Sequence, residues 1–324
     1  MTAVSPLTDG FGRRIDYLRI SLTERCDLRC VYCQPAGCSG MSDADLLTAE
    51  HVLTIVEAGL GLGITRVRLT GGEPLMRDDL EKIVAGISGL PGLEDLSLTT
   101  NGQRLAARAE ALAAAGLRRV NVSLDSFDPD AYRAITGGEL APAVAGVDAA
   151  LAAGLSPVKL NAVLSGPHIL NHQVDAFVEF IRERPVHVRF IEAMPTGSCR
   201  SYLPAARILD RLAQEGDLVS IAGPPGGGPA SYYRLGDSLG TIGVIAPISD
   251  PFCRRCNRLR VSASGKLLSC LFSTAALDML PALSASDALG AVSEVIAAAV
   301  AAKPRAYADV ASASGISAMH AIGG

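Results

Sequence analysis

The chain has 324 residues, 49% of them hydrophobic, and a formal net charge of −4, enough to bury one large α/β barrel or two modest domains. That mild negative balance excludes a general nucleic-acid binder, for which a basic domain is expected, so any anion site must be a local pocket. No apolar run reaches the ~18 residues of a membrane span, the first residues lack a signal-peptide pattern, and eight cysteines fit metal or redox chemistry better than a disulfide framework; a cytoplasmic protein is expected.

In chain order, β-branched runs at 17–23, 66–70, 95–101, 119–125, 157–164 and 187–194 predict strands. Helices are predicted between and after them, at 48–62, 78–88, 103–115, 129–135, 142–153 and 171–184, opened by Thr, Asp or Asn and stopped by Gly. This alternation asks for a parallel sheet with right-handed crossovers. Six units are too few for a complete eight-stranded barrel, so the expected class is α/β, a partial (β/α)6 TIM-like barrel open along one side. After a helix at 205–214, the Gly- and Pro-rich stretch 223–229 places a boundary that divides the chain into 1–222 and 223–324. Short strands follow at 232–235, 240–245, 259–262 and 266–270, with Ser264-Gly265 as a hairpin turn. This β-element is expected to close the open side, with helical segments over 278–303 and a tail after them.

The residues with chemical potential gather at the C-terminal ends of the strands, where a barrel of this kind places its site. Cys26, Cys30 and Cys33 form C-x3-C-x2-C after the first strand, and Gly71-Gly72-Glu73-Pro74 follows the second. Thr99 and Asn101 end the third, Ser123 and Asp125 the fourth, and Met194 the sixth, while Lys159 and Asn161 lie on the fifth. A second triplet, Cys253, Cys256 and Cys270, lies in the C-terminal β-element. Three thiolates on a [4Fe–4S] cluster leave one iron open to a non-protein ligand. A zinc site is the alternative for each triplet, but structural zinc closes its tetrahedron with a fourth Cys or His, and neither segment supplies one. Cys38 and Cys199 are read as bystander thiols.

Arg19, Arg68 and Lys159 alternate with apolar residues on their strands and are expected to face the barrel interior. Arg254, Arg255, Arg258 and Arg260 surround the second triplet, the last two on one face of a strand. Cations gathered in a site without matching acids suggest phosphate, which arginine binds through paired donors.

The C-x3-C-x2-C loop, with Tyr32 directly before its third cysteine, resembles the radical S-adenosylmethionine superfamily. The run Tyr17-Leu-Arg-Ile-Ser-Leu-Thr-Glu-Arg-Cys26, the segments around Gly71-Gly72-Glu73-Pro74, Ser123, Lys159 and Met194, the second triplet and the terminal Gly323-Gly324 narrow the resemblance to the GTP 3',8-cyclase family. It implies two [4Fe–4S] clusters on the two triplets, and S-adenosyl-L-methionine bound by Tyr32, Gly72, Glu73, Ser123 and Met194. It also implies GTP held by Arg19, Arg68, Thr99, Lys159, Arg258 and Arg260, with the guanine on the second cluster's open iron and Gly323 and Gly324 reaching in to assist. The implied reaction is reductive cleavage of S-adenosylmethionine, hydrogen abstraction from C3' of GTP and closure onto C8, giving (8S)-3',8-cyclo-7,8-dihydroguanosine 5'-triphosphate for molybdenum cofactor (molybdopterin) biosynthesis. A homodimer, a flavodoxin or ferredoxin electron donor, and delivery to cyclic pyranopterin monophosphate synthase are implied as well. Arg66, where the family often has Lys, and Gln34, where Met is more usual, depart from the pattern. The rival readings are a radical peptide-modifying maturase with an auxiliary cluster, and a non-catalytic metal scaffold.

Overall fold

In a computed structural model, the structure describes residues 6–33, 46–164, 167–194, 203–226 and 228–310. Strands β1 (Tyr17–Ser21), β2 (Arg66–Thr70), β3 (Asp95–Thr100), β4 (Arg119–Ser123), β5 (Val158–Leu164) and β6 (His187–Glu192) pair in chain order, all in parallel. Their side chains alternate. Leu18, Ile20, Val67, Leu69, Leu96, Leu98, Val120 and Val122 join the apolar core and are fully buried, each contributing roughly 1.5–3 kcal/mol through burial. Arg19, Arg68, Ser97 and Asn121 occupy the intervening positions and are also buried, so the opposite face of the sheet is a polar interior.

Helices α1 (Ala49–Gly61), α2 (Leu80–Ser88), α3 (Ala109–Ala114), α4 (Pro129–Thr136), α5 (Leu140–Ala152) and α6 (Pro167–Glu183) supply the crossovers. Thr48 caps α1 by accepting from His51 N at 3.1 Å. Asp128 caps α4 by accepting from Ala131 N at 2.8 Å, and Gly137 ends that helix at φ +74°, a conformation suited to glycine. The helix expected over 103–115 is shorter. Gly102 turns at φ +83°, Gln103 N is drawn onto the Asn101 side chain at 2.9 Å, and regular helix begins only at Ala109.

After α7 (Ala205–Leu212) come β7 (Leu218–Ile221), β8 (Ser231–Leu235), β9 (Thr241–Ile245), β10 (Arg258–Val261), β11 (Lys266–Leu268) and β12 (Leu277–Asp278). They do not form a separate sheet over the opening. Strand β10 joins β1 in parallel at one edge and β9 joins β6 in parallel at the other, giving one sheet ordered β12-β11-β10-β1-β2-β3-β4-β5-β6-β9-β8-β7. The barrel is thus extended from both edges by the C-terminal part and is not closed into a ring by hydrogen bonds. The helical stretch expected over 278–303 is two helices, α8 (Leu280–Leu283) and α9 (Ala288–Ala301), parted where Asp287 caps α9 through Gly290 N at 3.0 Å; α9 packs on α1. Among the described residues no helix is long and apolar enough to cross a membrane.

Candidate active site

The first cysteine loop leaves β1 and is tied down by its backbone. Arg29 N and Val31 N donate to the carbonyls of Thr136 and Ile135 at the end of α4, at 2.8 and 2.9 Å. On the other side, Gly72 N and Glu73 N donate to Thr23 O and Arg25 O, each at 2.7 Å. That approach needs glycine, because a Cβ on Gly72 would lie 2.3 Å from Arg25 O. Glu73 is fully buried and accepts from Thr100 Oγ1 at 2.7 Å, Asn101 N at 2.7 Å and Leu75 N at 3.0 Å, fastening the ends of β2 and β3. Burial pushes its carboxyl up to about 7. Asn101 donates onward to Asp27 at 2.7 Å. Tyr32 Oη donates to Asp125 at 2.5 Å, whose other oxygen accepts from Val163 N at 2.8 Å.

The second triplet is positioned by β10, β11 and the loop before them. Glu192, at the end of β6 and fully buried, accepts from Ala205 N at 2.6 Å, Ile248 N at 3.1 Å and Ser249 N at 3.0 Å. It thereby anchors the loop that runs into Cys253. Both triplets open on one cavity of about 360 Å³, lined by Cys26, Cys30, Cys33, Cys253, Cys256 and Cys270. All six are free, half-buried thiols. Among the described residues no three His, Cys, Asp or Glu side chains converge on a single metal ion. Three separate thiols around a space suit a cubane, in which each thiolate takes a different iron, so the donor set fits the implied clusters.

Strand register builds a row of cations across the cavity. Arg260 on β10 pairs with Arg19 on β1, Arg19 with Arg68 on β2, and Arg68 with Ser97 on β3. Arg68 and Arg260 are held down at about 10, chiefly by burial and then by neighbouring guanidiniums, and Arg19 is depressed for the same reasons. Arg189 of β6 lines the same cavity and donates to Asn121 Oδ1 at 2.7 Å. Arg68, Arg189 and Lys159 make no ion pair among the described residues; Arg68 Nε reaches Ser97 Oγ at 3.2 Å, and Lys159 Nζ reaches Pro225 O at 2.8 Å. The buried hydroxyl of Thr99, the Asn161 side-chain oxygen and Arg189 Nε have no partner among the described residues. Such a floor attracts an anion with several acceptor oxygens.

Of the residues singled out from sequence, Tyr32, Gly72, Ser123, Met194, Arg19, Arg68, Thr99, Arg258 and Arg260 line this cavity. Glu73 and Lys159 do not: Glu73 lies behind the wall, and Lys159 is fully buried under the Pro225 carbonyl. Arg66 is turned away into an ion pair with Asp16. Positions 34, 38, 199, 323 and 324 fall outside the described residues. Sequence reasoning passed over Arg189 and Glu192. Both lie in the run Arg-Phe-Ile-Glu-Ala-Met-Pro at 189–195, one of the motifs of the resemblance, and Arg189 also alternates with Val188 and Phe190 as Arg19 does with Leu18 and Ile20; the role of Glu192 was hidden because its partners come from distant loops.

A family model described as the Radical SAM superfamily matches residues 20–182, and one described as Molybdenum Cofactor Synthesis C matches 186–309. The chain is 47% identical over 306 residues to a GTP 3',8-cyclase of Pelotomaculum thermopropionicum, covering 92% of this chain and 94% of that one. It is 43% identical over 304 residues to a GTP 3',8-cyclase of Moorella thermoacetica, at 92% and 94% coverage. Among solved structures it resembles Streptococcus suis SuiB bound to S-adenosylmethionine, with a TM-score of 0.62 and 16% identity over 82% of this chain and 63% of that one. This last likeness shows the fold alone, and the chain spans less than two thirds of that structure.

Proposed function

This chain belongs to the GTP 3',8-cyclase family of the radical S-adenosylmethionine superfamily, and from that premise we propose how its own residues serve the reaction. It is a lyase-type enzyme of molybdenum-cofactor biosynthesis that carries two [4Fe–4S] clusters, uses S-adenosyl-L-methionine and cyclises GTP. One observation carries the assignment of the site: both thiol triplets and the buried arginine row line the same cavity.

S-adenosylmethionine bound at the first cluster supplies the radical that starts the cyclisation. Cys26, Cys30 and Cys33 hold that cluster, and Tyr32, Gly72, Ser123 and Met194 line the cofactor's place. Glu73 acts from behind the wall, fixing Gly72 and Asn101 in position. Cys253, Cys256 and Cys270 hold the second cluster opposite. Arg19, Arg68, Thr99, Arg258 and Arg260 bind and orient the triphosphate, with Lys159 adding charge from below. Orientation and exclusion of water are the protein's contribution. Gly323 and Gly324 belong to this proposal as a tail that assists closure, as does the division of the chain into 1–222 and 223–324. A homodimer, a flavodoxin or ferredoxin donor and a downstream pyranopterin synthase rest on the family alone.

The test is an anaerobic reaction of reconstituted protein with dithionite, S-adenosylmethionine and GTP, read by mass spectrometry. Deoxyadenosine and cyclised nucleotide are expected together. Deoxyadenosine without a GTP-derived product would contradict the substrate and favour a peptide-modifying enzyme.

A further inference from the structure

Two buried cations outside the cavity lining lie beside the second cysteine triplet. Lys303, 4% exposed and just past the end of α9, donates through Nζ to the carbonyls of Arg258, at 2.8 Å, and Ser269, at 2.5 Å. These carbonyls flank two of the thiols, since Arg258 follows Cys256 by two residues and Ser269 directly precedes Cys270. Arg13, 8% exposed, takes the third. Its Nη1 donates to the carbonyl of Cys253 at 2.8 Å, and the same guanidinium reaches Pro304 O at 2.6 Å and Arg305 O at 3.0 Å. Arg13 is paired with Asp9 at 2.6 Å. Lys303 has no carboxylate partner among the described residues, and the groups of opposite sign acting on it are Cys256 and Cys270.

Two carbonyls alone do not account for a buried ammonium, because a neutral donor would satisfy them without the cost of desolvating a charge. A cubane held by three thiolates is a net anion, and reducing it adds another negative charge. A buried cation beside it therefore favours the reduced form, the more so at low local dielectric, and hydrogen bonds and net charge around a cluster set its potential.

We propose that Arg13 and Lys303 are positioning residues of the second cluster, Arg13 clamping the Cys253 loop and Lys303 the Cys256 and Cys270 loops, and that the charge of Lys303 raises the cluster's reduction potential. This rests on reading the second triplet as a cluster site. The test uses the full chain with Cys26, Cys30 and Cys33 replaced by serine, reconstituted anaerobically so that only the second cluster loads, and titrated by optical and EPR spectroscopy. Lys303→Met is expected to lower the reduced-to-oxidised ratio at fixed poise about tenfold, roughly 59 mV for one electron, while Lys303→Arg stays near the parent. Arg13→Met is read for iron retention alone and is expected to release iron to a chelator several-fold faster. Should Lys303→Met fail to retain iron, Lys303→Gln, which keeps a donor without the charge, takes its place with the same expected fall. A neutral variant at the parent's potential would overturn the charge role, and unchanged iron release from Arg13→Met would overturn the clamp. A parent that binds no iron would overturn the cluster reading itself.

Discussion

The two cysteine triplets face one cavity from opposite electrostatic surroundings. Around the first, burial together with Glu73 and Asp27 pushes the Cys26 thiol up to about 11, and burial with Asp125 raises Cys30 as well. Around the second, burial again works to raise Cys256, but Arg258 and Lys303 overcome it and hold the thiol at about 7. Identical ligand chemistry thus receives opposite fields from side chains just outside it. A carboxylate-rich pocket suits a cationic partner, which S-adenosylmethionine is, and a cation-rich one suits the anionic nucleotide. In the proposed site this asymmetry is expected to draw the cofactor to the first wall and the nucleotide to the second.

The largest effect expected is also the sharpest separation of the two halves. Cys26→Ala should abolish deoxyadenosine formation while iron bound at the second triplet remains. Cys256→Ala should leave some cofactor cleavage but remove the cyclised nucleotide, both read by anaerobic product analysis. If both variants lost cofactor cleavage equally, the division of labour would be wrong. Next in size, Arg68→Met should weaken GTP binding by about 1.5–3 kcal/mol, the value of hydrogen bonds to a charged group, with S-adenosylmethionine affinity unchanged in calorimetry. A smaller effect concerns the substrate-free state. Burial, and then the nearby arginines, depress Lys159 to about 6, so between that value and its ordinary 10.5 the folded chain binds fewer protons than the unfolded one. Stability should therefore rise with pH across this window. Lys159→Met should flatten that slope and stabilise the substrate-free protein at neutral pH, as seen in denaturant melts, while GTP binds less well.

The parallel strands were legible because alternation survives in the sequence: Leu18, Arg19 and Ile20 already state which face is core and which is site. The strand ends followed, and with them the first triplet and Gly72. The outer strands were not legible. Strand β7 has no buried residue and β12 is two exposed residues, so neither carries a burial pattern. Nor could local pattern reveal that β9 and β10 would join opposite edges of one sheet, since that pairing is decided between segments far apart in the chain. Glu73 and Lys159 were recognised as important, yet their place behind the cavity wall depends on partners, Asn101 and Pro225, that only the fold brings to them.

The most direct measurement is a crystal structure of the anaerobically reconstituted protein with S-adenosylmethionine and GTP, phased with iron anomalous scattering. Two cubane clusters on facing walls are expected, with the cofactor at the Cys26 loop and the triphosphate along Arg260, Arg19 and Arg68. A single cluster, or a nucleotide bound away from that arginine row, would contradict the account.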